Sequence, residues 1–363
     1  MSIGGRLGIA MVLALSLSGA AAAQGALNLN IQEGDYRVRN FEFRSGEHLD
    51  ELRLHYKTLG APIRDARGRV TNAVLILHGT GGSGEQFLRP QFADVLYAHD
   101  GILDPAKYFI ILADGIGHGK SSKPSDGLHA KFPHYDYDDM VRAQYELVHK
   151  GLMLDHLRLV LGTSMGCMHA FVWGETYPQF ADALMPLACL PVQIAGRNRV
   201  WRKLAMDAII GNPAWANGEY KDEPTESLRA AENLLLIAGS APLLWQKTYP
   251  TRDAADKFVT DTVDKAIGNL DANDLLYQIA ASRHHDPATR LGAITAPVMW
   301  INSADDFINP PELGIAEVKA KELKHGRYIL IPESVDTHGH GTHTWAAIWK
   351  NYLAELLSES ERH

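Results

Sequence analysis

Leu159-Val160-Leu161-Gly162-Thr163-Ser164-Met165-Gly166-Cys167-Met168-His169-Ala170 decides how this chain is read. An apolar run of strand type ends at Gly162, a turn of small residues follows, and a run of helical character comes next. Gly162-Thr163-Ser164-Met165-Gly166 has the G-x-S-x-G spacing of a nucleophile elbow. A strand that turns straight into a helix strains the backbone of the residue at the turn and lifts its side chain clear of the sheet. The neighbours two positions away crowd that turn, which selects glycine on both sides. The helix that follows aims its first N–H groups at the serine, where negative charge develops during acyl transfer.

Outward from the elbow, the chain alternates strand and helix. Tyr36 to Phe43 and Leu52 to Leu59 alternate around Ser45-Gly46-Glu47, the pattern of an antiparallel hairpin. Continuous apolar runs at Ala73–Leu77, Tyr108–Ala113, the elbow strand, Ala183–Leu187, Val298–Asn302 and Arg327–Ile331 read as strands covered on both faces. Helices are expected from near Glu85, over Tyr137–His149, from the elbow to Tyr177, over Pro311–Lys324 and over Thr344–Leu357. From Pro191 to Arg290 the strand signals stop and helical segments dominate. The expectation is an α/β fold, a mostly parallel eight-stranded sheet flanked by helices. Residues 24–190 and 291–363 form its core, and residues 191–290 form an inserted α-helical lid.

With 363 residues, 46% of them hydrophobic, the chain can bury one large core. The formal net charge is −8 and no basic run stands out, which argues against nucleic acid as a partner. Met1 to Ala23 has the layout of an export signal. Arg6 precedes the apolar run Leu7–Leu17, and Ala21-Ala22-Ala23 resembles a cleavage site. That run is shorter than the ~20 residues a membrane span needs, so the mature chain is expected without a span, in the periplasm or secreted. Cysteine is among the most buried residue types, so Cys167 and Cys189 are expected as two buried thiols. Export also permits a disulfide between them.

A serine hydroxyl needs a base to take its proton and a carboxylate to orient that base. In this architecture the acid and the histidine follow later strands. Asp305 and Asp306 follow Val298–Asn302, and Asp306 is preferred because Phe307-Ile308-Asn309-Pro310 continues as a bend into the next helix. Thr337-His338-Gly339-His340-Gly341-Thr342-His343 follows the last strand, and His340 is preferred because glycines flank it. His343 and His338 are read as a neighbour of the site and a loop residue. Three close histidines suggest a metal, but no further ligand set completes one, so no metal is expected. The oxyanion donors are expected to be the N–H groups of Met165 and of Thr80, within His78-Gly79-Thr80-Gly81-Gly82. That loop lacks the G-K-[ST] ending of a phosphate-binding loop and the spacing of a dinucleotide fold, and no cofactor is implied.

These residues resemble the α/β-hydrolase superfamily and, more narrowly, its homoserine O-acetyltransferase-like branch. The likeness is carried by Asp104-Pro105-Ala106-Lys107-Tyr108-Phe109-Ile110, Phe132-Pro133, Asp139-Met140-Val141-Arg142-Ala143-Gln144, the elbow, and Asp306-Phe307-Ile308-Asn309-Pro310-Pro311. It implies Ser164, Asp306 and His340 as the triad. The chain departs from the acetyltransferase pattern at Cys167 and His169, where that pattern has glycine and glutamine. It departs again at Gly341, where that pattern has an aspartate that meets the amino group of homoserine. The expectation is an exported serine hydrolase acting on a small-molecule ester through an acyl-enzyme. The alternatives are an O-acyltransferase and a non-catalytic binding protein on the same fold. Arg197, Arg199 and Arg202 are candidate partners for an anionic substrate, and a homodimer is left open.

Overall fold

The computed structural model describes residues 27–361; the segment read as an export signal lies outside them. Eight strands form one sheet in the order β1-β2-β4-β3-β5-β6-β7-β8. They are β1 (Ile31–Glu42), β2 (His48–Leu59), β3 (Ala73–Leu77), β4 (Phe109–Ala113), β5 (Leu159–Thr163), β6 (Leu184–Leu187), β7 (Val298–Ser303) and β8 (Gly326–Ile331). β1 and β2 pair antiparallel, β2 joins β4 antiparallel, and every other pairing is parallel. All eight expected strands are present. The hairpin strands run further than their alternation suggested, because their mutual ladder extends from Ile31↔Leu59 to Glu42↔His48.

The period of two along a strand assigns side chains to two layers. In β3, Leu75 and Leu77 face one layer together with Met140 and Val141 of α2 (Tyr137–Glu146) and Phe171 and Trp173 of α3 (Met165–Thr176). Val74 and Ile76 face the other, with Phe92 and Leu96 of α1 (Pro90–Leu96) and Trp349 and Leu353 of α10 (Ala346–Ser360). Burial on both faces is why β3, β4 and β5 read as unbroken apolar runs.

Five helices stand between β6 and β7: α4 (Gly196–Ile210), α5 (Thr225–Ala238), α6 (Pro242–Thr248), α7 (Arg252–Ile267) and α8 (Ala272–Ala280). They hold a small core of their own, with Met206 and Ile209 of α4 against Leu228 of α5 and Leu275 and Ile279 of α8. No helix among the described residues is long and apolar enough to cross a membrane.

Three local differences from the expected elements have backbone causes. The segment near Glu85 is a 3-10 turn (Gly84–Leu88), and the α-helix begins only at Pro90, whose missing N–H suits a first helical position. The helix expected over Pro311–Lys324 is broken by Gly314 at φ 63°, leaving a 3-10 turn before α9 (Ile315–Lys319) and another after it. Cys167 and Cys189 are joined as a disulfide with Cα atoms 5.8 Å apart, in place of two free thiols. Both lie at the C-terminal edge of the sheet, one in the first turn of α3 and the other just past β6.

The Glu175 carboxyl, near the C-terminus of α3, is fully covered and pairs with Arg290 at 2.5 Å, where the chain returns from the helices between β6 and β7. Burial pushes it up to about 7, against the pull of Arg290. A carboxyl raised in the folded state holds its proton there after the unfolded chain has lost it. Stability is therefore lost as pH rises from the ordinary carboxyl range to about 7. Urea denaturation of Glu175→Gln should match wild type at pH 5 and exceed it at pH 8 by on the order of 1 kcal/mol. Equal differences at both pH values would show that the Glu175 carboxyl is ionised throughout.

Candidate active site

Ser164 stands between β5 and α3 at φ 54° and ψ −111°, a backbone region that non-glycine residues rarely adopt. Two close approaches hold it there. A Cβ on Gly162 would lie 1.9 Å from the Gly166 carbonyl oxygen, and a Cβ on Gly166 would lie 2.1 Å from that of Leu77. Both flanking positions therefore exclude any side chain. The Ser164 N–H donates to the Leu187 carbonyl at 2.8 Å and the Gly166 N–H to that of His78 at 2.9 Å, which anchors the turn to the ends of β6 and β3.

The loops after β7 and β8 bring the next two groups to the serine. His340 Nε2 lies 2.7 Å from Ser164 Oγ, and His340 Nδ1 lies 2.9 Å from Asp306 Oδ2. With Nδ1 donating to the carboxylate, Nε2 is left to accept the serine proton. Asp306 is buried and takes three more donors: the N–H groups of Ile308 at 2.8 Å and Asn309 at 3.1 Å, and Asn309 Nδ2 at 2.9 Å. Burial alone would raise its carboxyl. His340 and the Asn309 donors outweigh it and hold the group below the usual carboxylate range.

Asp305 does not meet His340. Its Oδ2 accepts from Thr337 Oγ1 at 2.8 Å and from the Gly339 N–H at 3.0 Å, and its Oδ1 accepts from Ser303 Oγ. It thus holds the histidine loop from outside while Asp306 holds the ring. His343 is half-buried with its ring 5.3 Å from that of His340, and desolvation pushes it down to about 3. His338 stacks on Trp345 at 3.8 Å.

The loop after β3 abuts the serine: a Cβ on Gly79 would sit 3.1 Å from Ser164 Cβ. His78 pins this loop. Its Nδ1–H donates to the Gly79 carbonyl at 2.8 Å, its Nε2 accepts from the Gly115 N–H at 2.9 Å, and burial lowers its basicity. Thr80 follows directly in this loop, and Met165 opens α3 immediately after Ser164.

Beyond Thr80 lies a cluster of buried polar side chains. The Tyr137 hydroxyl faces Thr80, Ser282 and Arg202 without reaching hydrogen-bonding geometry with any of them. Arg202 is 2% exposed. Its guanidinium donates to Asn198 Oδ1 at 2.9 Å and to Ser282 Oγ at 3.4 Å, and among the described residues no carboxylate pairs with it. Of the other two candidate arginines, Arg197 is exposed and stacks 3.9 Å above Phe307, and Arg199 is half-buried. On the acid-loop side a cavity of about 1020 Å³ opens between Met168, Leu190, Ile237, Trp245, Phe307 and Ile308. Asp305, the alternative acid in the sequence reading, holds the histidine loop instead. Asn309, His78 and Tyr137 also shape the site and none has a role in that reading. Each looks there like an ordinary turn, loop or core residue.

A sequence profile described as alpha/beta hydrolase fold matches residues 72–336. A "Probable acyltransferase" of Methanothermobacter thermautotrophicus is 28% identical over 279 residues, 77% of this chain and 84% of that one. A "Homoserine O-acetyltransferase" of Geobacter sulfurreducens is 27% identical over 369 residues, 87% of this chain and 95% of that one. Among solved structures, an acetylester hydrolase from Corynebacterium glutamicum superposes with a TM-score of 0.78 at 21% identity, covering 90% of this chain and 96% of the other.

The two acidic neighbours separate in a steady-state assay. Asp306→Asn should lower kcat by about 10⁴, the size of effect expected when the orienting carboxylate of such a relay is lost. Asp305→Asn removes only an acceptor for Thr337 and Gly339 and should cost about tenfold. The reverse order would make Asp305 the acid.

Proposed function

The chain belongs to the alpha/beta hydrolase fold family, and on that premise we propose that it is a serine acyl-transfer enzyme that passes an acyl group to an alcohol. The observation that carries this is the relay of 2.7 Å and 2.9 Å from Ser164 through His340 to Asp306. His340 Nε2 takes the Ser164 proton as Oγ attacks the acyl carbonyl carbon. The N–H groups of Thr80 and Met165 receive the oxyanion. Collapse expels the leaving group, which takes its proton from His340, and leaves Ser164 acylated. An acceptor hydroxyl then gives its proton to His340, attacks the acyl-enzyme and frees the serine.

Sequence similarity to an acyltransferase and to a homoserine O-acetyltransferase over most of the chain supports an alcohol as acceptor. Ester hydrolysis, the expectation from sequence, is the second reading. Gly341 favours it, because that residue brings no carboxylate next to His340 for an amino-bearing acceptor. Arg202 adds a preference for substrates with a carboxylate: a buried guanidinium met only by neutral oxygens is completed by an anion. We place the protein outside the cytoplasm. The leader-like N-terminus supports this, as does the Cys167–Cys189 bridge, since disulfides persist in oxidising compartments.

Ser164→Ala should abolish turnover of short p-nitrophenyl esters and labelling by a fluorophosphonate; retention of either would remove Ser164 from the mechanism. Products formed from acetyl esters and from acetyl-CoA, with homoserine and other hydroxylated acceptors present, should include the O-acyl alcohol. Free acid alone, at saturating acceptor, would establish the hydrolytic reading instead.

Arg202→Gln should raise KM about tenfold for carboxylate-bearing substrates and leave neutral esters nearly unchanged. An equal loss on both would show that Arg202 only supports the fold.

A further inference from the structure

The disulfide lies on the catalytic residues' own framework. Cys167 sits three residues after Ser164 in the first turn of α3, and Cys189 sits two residues past the end of β6. Three side-chain bonds from β7 grip the Cys189 backbone. Its N–H donates to Asn302 Oδ1 at 3.2 Å, and its carbonyl accepts from Asn302 Nδ2 at 3.1 Å and from Trp300 Nε1 at 3.0 Å. The adjacent Ala188 carbonyl accepts from Asn309 Nδ2 at 3.1 Å, and the same amide donates to Asp306 Oδ2 at 2.9 Å. A closed ring results. It runs from Ser164 through His340, Asp306, Asn309 and Ala188 to Cys189, across the bridge to Cys167, and back along α3 to Ser164.

Two strained residues belong to this ring. Ser164 has φ 54° and Ala188 has φ 66°, both in the left-handed region, and neither is glycine. Such conformations cost about 1 kcal/mol or more each and persist only where the surroundings over-determine them. The bridge is the one covalent constraint that spans both, and both cysteines are fully buried. Without it, relaxation at Ala188 moves the carbonyl that holds Asn309, and Asn309 holds the acid.

We propose that the Cys167–Cys189 disulfide is a positioning device for the relay, which sets Asp306, and through it His340, against Ser164. Full turnover requires it closed. The proposal rests on the serine mechanism above, so Ser164→Ala is the control. Turnover surviving in that variant condemns the mechanism, whatever the cysteine variants do.

The test measures kcat, KM and melting for wild type, Cys167→Ala/Cys189→Ala, Asn309→Ala and the triple variant, each assayed well below its own melting temperature. The double cysteine variant should melt lower yet remain folded, with kcat down about tenfold or more and KM little changed. Asn309→Ala should lose a similar factor. The triple variant should be no worse than the poorer of its parents, because both changes cut one linkage. A folded double variant with wild-type kcat, or losses that multiply in the triple variant, overturns the proposal. If the double variant does not fold, wild type reduced by dithiothreitol replaces it. The dithiol gives up two electrons and two protons, the S–S bond becomes two thiols, and the reagent closes to its own disulfide. Activity that falls in step with thiols formed, while the circular dichroism stays native, supports the proposal. Loss of the native fold on reduction assigns the bridge to global stability and overturns it.

Discussion

The left-handed backbone of Ser164 is the constraint from which the rest of the site follows. A serine placed mid-strand would point into one apolar layer, and one placed mid-helix would lie against its own turn. Forced to φ 54° between β5 and α3, it stands at the rim of the sheet. That conformation is unfavourable by itself and is kept by packing. Gly162 and Gly166 admit no Cβ, and the N–H groups of Ser164 and Gly166 are tied to β6 and β3. The sheet order then places the loops after β3, β6, β7 and β8 around that point, because β5 lies between β3 and β6. The loop after β3, the bridge, Asp306 and His340 all arrive at one edge as a result of topology.

The two adjacent aspartates show how similar groups take different tasks. Asp306 is buried among donors that favour its charged form, so it suits a histidine that takes up a proton. Asp305 spends its oxygens on Thr337, Gly339 and Ser303, all neutral, and so fixes a loop. The side chains point apart because Asp306 enters the bend that Ile308 and Asn309 close on it. The same bend explains why Phe307-Ile308-Asn309-Pro310 matters: its backbone N–H groups serve as the acid's ligands.

Much of this was legible in the sequence, and the legible part is the part with a short-range signature. The strands were visible because burial on both faces leaves unbroken apolar runs, and the elbow because two glycines and a serine stand at fixed spacing. Chain order, given an elbow, pointed to the two loops, and the bend after Asp306 and the glycines beside His340 selected those residues within them. What escaped depends on contacts between distant segments. The Asn309 amide means nothing until Ala188 lies beside it, 121 positions away in the chain. The Asp305 clamp needs Thr337 across 32 positions. The cysteine pair looked like two buried thiols because sequence carries no information on the 5.8 Å between their Cα atoms. The break at Gly314 was a missed local signal, since glycine inside a helical run marks a stop as readily as a tolerated residue.

The two buried charges at the site differ in how folding leaves them. Asp306 is saturated: four donors, one of them the histidine, compensate for the water it gave up. Arg202 gave up its water for two neutral oxygens and a ring face 4.6 Å away, and burial lowers its basicity accordingly. A buried charge left so thinly paired costs stability. On the proposed function an entering anion recovers that cost, so the gain falls to ligands that carry one and not to neutral ligands of the same shape. On the proposed function, the acid side of the serine is thus finished by folding and the Arg202 side is finished by substrate. That asymmetry lets one rigid relay serve a selective enzyme: the chemistry is preorganised, and the choice of partner rests on the charge still to be met.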